Sequence, residues 1–551
     1  MNKLVLFFLL FPCCIYAQDR KTQITELMSA ANIPGLSLAY IKNGKVHETY
    51  HLGVRSSETK EPVNESTVFA AASLSKSTFA YGVMKLVETG KLNLDTPLFR
   101  YLDYEDLKHD ARYRSITARQ VLSHTSGLPN WRNGPQLNFI FNPGERYSYS
   151  GEGFVLLSKV VEKITGQGIE EWMQQNVFVP LGMTNSSYLW KVKFDTNYAH
   201  PHMDFGKSSP KFFPKEANTA HSLQTTANDY AIFLAALLNG KGLKKNTWQV
   251  MFVPQANSRF KDYESSLGWG LGLGYATSNE GVSFWQWGDN GTFKAFVLGY
   301  PAKKEGLVFF ANSLNGMSIA SELIALFIKA DQPELKWLSY AGYKDASFQL
   351  LRRAVSLPFS EAVQPYLQKN TTHHDTSLIR EGQMNSIGNR LIQLQQFDQA
   401  ISLYEMNLKA YPNSTRAYEG MGRAYLRLGK RAQAAAAFEQ AYRKDTSRAY
   451  LIAAANRLNG KPDTTTGIPT TFRLAEYANA RSVQLVGDFN QWNDIRTPMR
   501  WENGAWLVTV PLKAGEYTYK FAVDGIWLSD PKNPKVKTDG NLESIIEVKE
   551  R

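Results

Sequence analysis

The chain has 551 residues, of which 43% are hydrophobic, 20% charged and 13% aromatic. That length exceeds the roughly 250–300 residues at which a single core stops growing, so at least two domains are expected. The composition excludes collagen, wholesale disorder and a multi-span membrane protein, and the net charge of +12 gains meaning only once it is located along the chain.

Residues 1–17, MNKLVLFFLLFPCCIYA, carry Lys3, an unbroken apolar run over 4–11, and the small residue Ala17 before Gln18. This pattern predicts a secretory signal peptide. It is too short for a spanning helix of about 20 residues. The chain's two cysteines, Cys13 and Cys14, leave with it. The mature chain 18–551 then has no disulfide, cysteine-ligated zinc or thiol nucleophile. No later apolar run reaches spanning length. The expected product is exported to the periplasm or beyond, with no integral membrane segment after processing.

Residues 18–340 mix helix and strand signals. Apolar runs at 36–41 and 45–50 flank Asn43-Gly44, a hairpin turn. Helical patterns follow at 75–89 and 156–175, and strands return near 293–300 and 306–312. Strands, then helices, then strands again predict an α+β domain with an antiparallel sheet. The stretch Phe69-Ala-Ala-Ala-Ser73-Leu-Ser-Lys76 opens the first of these helices. A three-residue spacing puts Ser73 and Lys76 on one helical face. The helix start offers N–H groups and a positive dipole end to a developing oxyanion. A lysine brought toward neutrality can activate the serine.

The surrounding motifs carry more weight than this pair alone. Val121-Leu-Ser-His-Thr-Ser-Gly-Leu-Pro129, Pro143-Gly-Glu-Arg-Tyr-Ser-Tyr149-Ser150, Pro180-Leu-Gly-Met183 and Leu267-Gly-Trp-Gly270 follow in order. Together they resemble the serine β-lactamase and penicillin-binding protein superfamily, in its class C β-lactamase, D-Ala-D-Ala peptidase and esterase branch. The resemblance covers roughly 25–330. It implies that Ser73 is an acylated nucleophile, Lys76 its base or proton relay, and Tyr149 the tyrosine of the second motif. A tyrosine shuttles protons this way if cations lower its pKa from about 10, and Lys76 is the expected cation. Gln286-Trp287-Gly288 matches the third motif on an edge strand. With Ser150 these three are expected to bind substrate, and the backbone N–H groups of Ser73 and Asp289 to form an oxyanion hole. No metal or organic cofactor is implied.

Two departures bear on specificity. The second motif ends in Gly151 where the family has asparagine, and the third begins with neutral Gln286 where the family has lysine or histidine. An ester or amide without a carboxylate is therefore the expected substrate, with an esterase favoured over a β-lactamase or peptidase and the three left unresolved. Lys294 is near enough in sequence to restore a cation. A catalytically weak envelope scaffold is the alternative. The alternating glycines 268, 270, 272 and 274 read as sheet packing, because no βαβ unit surrounds them. His200, His202, His373 and His374 read as surface histidines without metal spacing, and His124 as part of a turn.

Residues 341–383 read as a helical connection. Residues 384–460 repeat at a period of 34: Gly388 recurs as Gly422, Leu394 as Leu428, Ala400 as Ala434 and Tyr404 as Phe438. This resembles the tetratricopeptide repeat, with two units and a trailing helix over 450–458. Such pairs serve as a spacer or as a dock for a protein partner, and two units are expected to lean on a neighbour. This segment carries +6 of the charge, residues 18–383 about +5 and the tail none. The excess reads as a solvated helix face and excludes a nucleic-acid footprint.

Residues 461–467 are a polar linker. Residues 468–551 switch to strand period, with Asn503-Gly504 and Asp524-Gly525 as hairpin turns. They predict a small all-β, immunoglobulin-like sandwich. Val486-Gly-Asp-Phe-Asn-Gln-Trp492, Gly515-Glu-Tyr-Thr-Tyr-Lys520 and Asp524-Gly-Ile-Trp527 resemble the glycogen-binding modules of the AMP-activated kinase β subunit and starch-branching enzymes. The resemblance implies α-glucan binding, with Trp492 and Trp527 stacking on sugar rings and Lys520 contacting a hydroxyl.

Overall fold

The computed structural model describes residues 19–132, 136–260, 266–367, 379–461, 466–537 and 542–550. The predicted signal segment with both cysteines, and His373-His374, lie outside these residues. Among the described residues no helix is long and apolar enough to cross a membrane.

The N-terminal half is built on an antiparallel seven-stranded sheet. Its strands are β1 (Gly35–Lys42), β2 (Lys45–Gly53), β3 (Leu267–Trp269), β4 (Gly274–Ser278), β5 (Gly281–Asp289), β6 (Lys294–Tyr300) and β7 (Glu305–Ala311), in the order β2-β1-β7-β6-β5-β4-β3. Asn43 and Gly44 both adopt positive φ, 53° and 72°, which the two-residue turn of the first hairpin requires. Two hydrophobic layers cover the sheet. One face packs on helices α1 (Ser75–Glu88), α2 (Gly151–Thr165) and α3 (Ala227–Asn239), and the other on Arg20–Ala30 and the helical turns near Ile319–Phe327. The helix expected over 156–175 starts earlier, at Gly151, where Ser150 caps it. It stops at Gly166, whose φ of 69° ends the turn.

The alternating glycines are packing residues. A Cβ on Gly270 would lie 2.1 Å from the Met251 carbonyl oxygen, and one on Gly274 would lie 2.4 Å from the Trp285 ring. Gly272, at φ 82°, sits against Ala80 of α1. His202 corrects the surface expectation. It is fully buried, its Nε2 accepts from the Ser57 amide at 3.0 Å, and its Nδ1 lies 2.9 Å from the Asn312 carbonyl oxygen.

Paired helices follow: α4 (Glu381–Gln393) with α5 (Phe397–Ala410), α6 (Thr415–Arg427) with α7 (Arg431–Lys444), and α8 (Ala449–Leu458). The 34-residue period is a packing period. A Cβ on Gly388 would lie 2.4 Å from the Tyr404 ring, and one on Gly422 would lie 2.5 Å from the Phe438 ring. The tail forms two antiparallel sheets, one of Ile468–Leu474, Ala505–Leu512 and Arg500–Glu502, the other of Val483–Gly487, Gly515–Val523, Ile526–Leu528 and Ser544–Val548. Phe472, Leu485, Met499, Trp506 and Phe521 fill the space between them.

Lys409, Arg416, Lys430, Arg443 and Lys444 stay exposed, as expected of a solvated face, but other basic residues turn to the tail. Arg427 donates to Gln484 Oε1 at 2.6 Å and to Asp494, Arg431 to the Met499 carbonyl at 2.8 Å, and Arg457 to the Arg496 carbonyl at 2.7 Å. Ile495 of the tail is fully buried among Leu426, Phe438 and Leu451. Arg390 of α4 bonds Asp204 and Asn315 of the N-terminal domain. The basic surface is thus divided between solvent and interdomain contacts.

Candidate active site

Ser73 sits on a short helical turn, Ala72–Leu74, just before α1. Ala72 adopts φ 48°, a left-handed conformation an alanine rarely takes. Surrounding bonds hold it there. Ser75 Oγ donates to the Ala72 carbonyl at 2.5 Å and accepts from the Leu223 amide at 3.0 Å, and Tyr230 donates to the Leu74 carbonyl at 3.1 Å. Strand β5 passes close by at Gly288, where a Cβ would lie 2.4 Å from the Ala71 carbonyl oxygen. Only glycine lets the strand approach the serine turn this closely.

Lys76 Nζ lies 3.2 Å from Ser73 Oγ and donates to the Ala220 carbonyl at 2.7 Å. The side chain is 1% exposed, and burial lowers its pKa to about 7. It also sits 4.7 Å from the centre of the Tyr149 ring. Tyr149 moves the other way. Burial raises its pKa above the ordinary phenol value, against opposing hydrogen bonds with Ser73 and Gln286. The expected lowering by Lys76 is not what the site produces, because burial outweighs a neighbour whose own charge is disfavoured.

Gln286 is fully buried. Its Nε2 donates to Tyr149 Oη at 2.9 Å and lies 3.2 Å from the Ser73 carbonyl oxygen. It therefore stands behind the tyrosine and does not line the cavity. Ser150 also departs from expectation. It is buried, donates to the Pro129 carbonyl at 2.9 Å and accepts from the Gly153 amide at 3.0 Å, so its hydroxyl is a helix cap. Trp287 lines the site and stacks at a tilt against Tyr149, with ring centres 4.7 Å apart.

A cavity of about 340 Å³ opens over Ser73 and is walled by Trp131, Tyr149, His221, Trp287 and Tyr340, with Asp289 and two asparagines. Trp131, His221 and Tyr340 were not singled out from sequence; they reach the site from separate loops and carry no motif of their own. His221 is neutral near pH 7, since burial and then Lys76 lower its pKa to about 4. Asp289 accepts from Lys294, from Tyr340 at 2.5 Å and from the Gly291 amide at 2.8 Å. Lys294 is 5% exposed and also donates to the Gly291 carbonyl at 2.8 Å. Its charge is committed to Asp289. His124 is more than a turn residue: its ring packs on Tyr149 at 4.2 Å and its Nδ1 accepts from the Ser150 amide at 3.0 Å.

Residues 21–331 match the family described as Beta-lactamase. The chain belongs to the beta-lactamase family. Among curated members, Protein flp of Staphylococcus aureus (strain NCTC 8325 / PS 47) is 24% identical over 326 residues, 54% of this chain and 63% of that protein. Penicillin-binding protein 4* of Bacillus subtilis (strain 168) is 28% identical over 167 residues, 26% of this chain and 36% of that one. The chain thus spans less than two thirds of these relatives. An octameric penicillin-binding protein homologue from Pyrococcus abyssi shares the beta-lactamase fold at TM-score 0.51 and 23% identity, over 61% of this chain and 81% of that one. Residues 468–551 match the family described as the glycogen recognition site of AMP-activated protein kinase.

In that second region Trp492 and Trp527 come together, with nearly parallel rings 5.9 Å apart. Lys520 lies on the middle strand two residues from Ala522, which pairs with Trp527. Among the described residues no group of three or more His, Cys, Asp or Glu side chains is placed to hold a metal ion.

Proposed function

We propose that residues 18–340 form an exported serine hydrolase that acts through an acyl-Ser73 intermediate on neutral esters, with amides as the less favoured substrate. The observation that carries this reading is the approach of Ser73 Oγ to a buried lysine at 3.2 Å, inside a cavity whose described lining has no cation near neutral pH. Neutral Lys76 takes the Oγ proton as Oγ bonds to the substrate carbonyl carbon. The amides of Ser73 and Asp289 receive the oxyanion. The bond to the leaving oxygen breaks, and the proton lost from Oγ ends on the leaving alcohol through Tyr149. Water then attacks the acyl carbon and passes a proton to Lys76 or Tyr149, the bond from that carbon to Ser73 Oγ breaks, the proton returns to Oγ, and the acid leaves. Tyr149 acts as a neutral relay here, since its raised pKa disfavours a standing phenolate.

The esterase preference follows from charge. With Gln286 neutral and Lys294 bound to Asp289, a substrate carboxylate finds no counter-ion among the described lining residues and faces Asp289. Residues 341–383 serve as the helical connection, 384–460 as a tetratricopeptide-like spacer and 468–551 as a module for α-glucan. The signal-like residues 1–17 support export.

Mass spectrometry after incubation with p-nitrophenyl esters and with a penicillin tests the enzyme. Acyl adducts on wild type and none on Ser73→Ala are expected, with ester adducts dominating. Absence of both adduct and turnover would leave the envelope-scaffold reading. The Gln286→His variant tests the preference: hydrolysis of a carboxylate-bearing ester is expected to improve relative to its neutral analogue, and an unchanged ratio rejects the charge argument.

A further inference from the structure

A second cavity, of about 560 Å³, lies where three parts of the chain meet. Trp492, Ile526 and Trp527 of the tail line it, with Gln393 and Arg423 of the paired helices and Lys207 of the N-terminal domain. We propose that this cavity is a composite site for a short α-glucan, in which the helices supply a wall opposite the tail's tryptophans. The proposal rests on the reading of the tail as a carbohydrate module and changes where that module's ligand lies. An open platform on an isolated sandwich would admit the middle of a long polymer. A cavity of this size matches the roughly 300–1,000 Å³ of small-molecule sites, and so takes an oligosaccharide or a glucan end.

Three observations support a ligand site over a docking contact. The tail is held to the helices outside the cavity by Ile495, Arg431 and Arg457, and Arg427, which does reach the cavity wall, is spent on Gln484 and Asp494. The tryptophans keep accessible surface beside that contact: Trp527 is 43% exposed, its neighbour Ile526 67% exposed, and Trp492 is half-buried. The backbone that carries Trp492 is also held in an unusual shape. Gln491 and Trp492 both adopt left-handed φ, 58° and 55°, and the Trp492 indole N–H is fixed on Asp488 Oδ1 at 3.1 Å. Two non-glycine residues held in that region in succession are maintained by surrounding structure.

The geometry also says how a sugar would sit. The indoles are too close for a ring to slide between them, since contact on both faces takes roughly twice 3.5–4.0 Å. A sugar therefore stacks on the pair from outside. The helix wall offers hydroxyl partners. Arg423 Nε is buried without a hydrogen bond and lies 3.5 Å from Asp494, so a guanidinium and a carboxylate adjoin, as adjacent sugar hydroxyls require. Gln393 is exposed at the end of α4, and Lys207 donates to its carbonyl at 3.4 Å. A bound glucan would thereby touch the hydrolase domain as well.

Calorimetry of the full chain with maltoheptaose tests this with two sets of variants. Trp492→Ala with Trp527→Ala probes the tail, and Gln393→Trp fills the cavity from the helix side. Wild type is expected to bind, and both variants to bind at least about tenfold more weakly, the effect of a lost stacking contact or a blocked site. Gln393 is exposed, so its variant should keep the wild-type melting temperature and ester turnover. Lys207→Ala serves as a milder probe and should weaken binding about threefold, as loss of one hydrogen bond does. If wild type binds no glucan, the carbohydrate reading itself fails. If the tryptophan variant loses binding while Gln393→Trp stays within about twofold of wild type, the composite site is wrong and the open-platform module stands.

Discussion

Lys76 holds its amine where a charge is poorly solvated, and that is what makes it useful to Ser73. Its pKa of about 7, against 10.5 for an ordinary lysine, leaves a large neutral fraction at neutral pH. The sign is definite: below about pH 7 the group is protonated and cannot accept the serine proton. Turnover of a neutral ester should therefore rise with pH through a midpoint near 7. Lys76→Arg, which stays charged, should lose at least about a hundredfold in kcat/KM at every accessible pH. A wild-type profile flat between pH 5 and 9 would exclude Lys76 as the base. The same shift acts on stability. Between about pH 7 and 10.5 the unfolded chain binds more protons at this residue than the folded one, so this group's contribution to stability rises with pH across that window.

At the scale of elements, the site depends on close backbone approaches. Helix α2 begins at Gly151, and a Cβ there would lie 2.7 Å from the Asn130 carbonyl oxygen and 2.8 Å from the Trp131 ring. The asparagine that the family carries at this position would displace the cavity wall. Gly151→Asn should destabilise the domain by about 1–3 kcal/mol, the range for overpacking, and should lower ester turnover. Thermal unfolding and a turnover assay check this together, and a stable variant with raised activity would show that the departure is not a packing constraint. The departure at Gly151 was readable in the sequence. Its reason was not, because Trp131 is brought against it by a loop that carries no motif. Gln286 is similar. Its neutrality was legible, but only the fold shows it buried behind Tyr149 and bonded to the phenol.

At the scale of the whole molecule, part of the basic charge of the paired helices joins domains, through Arg390, Arg427, Arg431 and Arg457. Arg427 is the central contact, with Gln484 and Asp494 as its partners and its side chain 8% exposed. Arg427→Ala leaves Asp494 with only the weaker Arg423 pair, and should loosen the tail by roughly 3 kcal/mol, as loss of one partner of a buried ion pair does. Hydrogen exchange across Thr415–Arg427 and Val483–Gly487 reads the effect directly. Wild-type protection in both segments would show that Ile495 and the remaining arginines suffice. This role was not legible beforehand, since a run of arginines reads the same whether it meets water or a neighbouring carbonyl.

By itself the sequence determined the antiparallel α+β character of the N-terminal half, the 34-residue helical period, the β tail and the Ser73–Lys76 spacing. Each of these is local: a turn that needs Asn-Gly, a period of two or of 3.6, a helix start that sets two side chains on one face. Tertiary structure alone decided the direction of the Tyr149 shift, the withdrawal of Gln286 and Ser150 from the cavity wall, the pairing of Lys294 with Asp289, and the meeting of the two tail tryptophans with each other. These depend on burial and on partners tens or hundreds of residues away. Desolvation and long-range pairing are properties of the packed chain, and no window of sequence contains them.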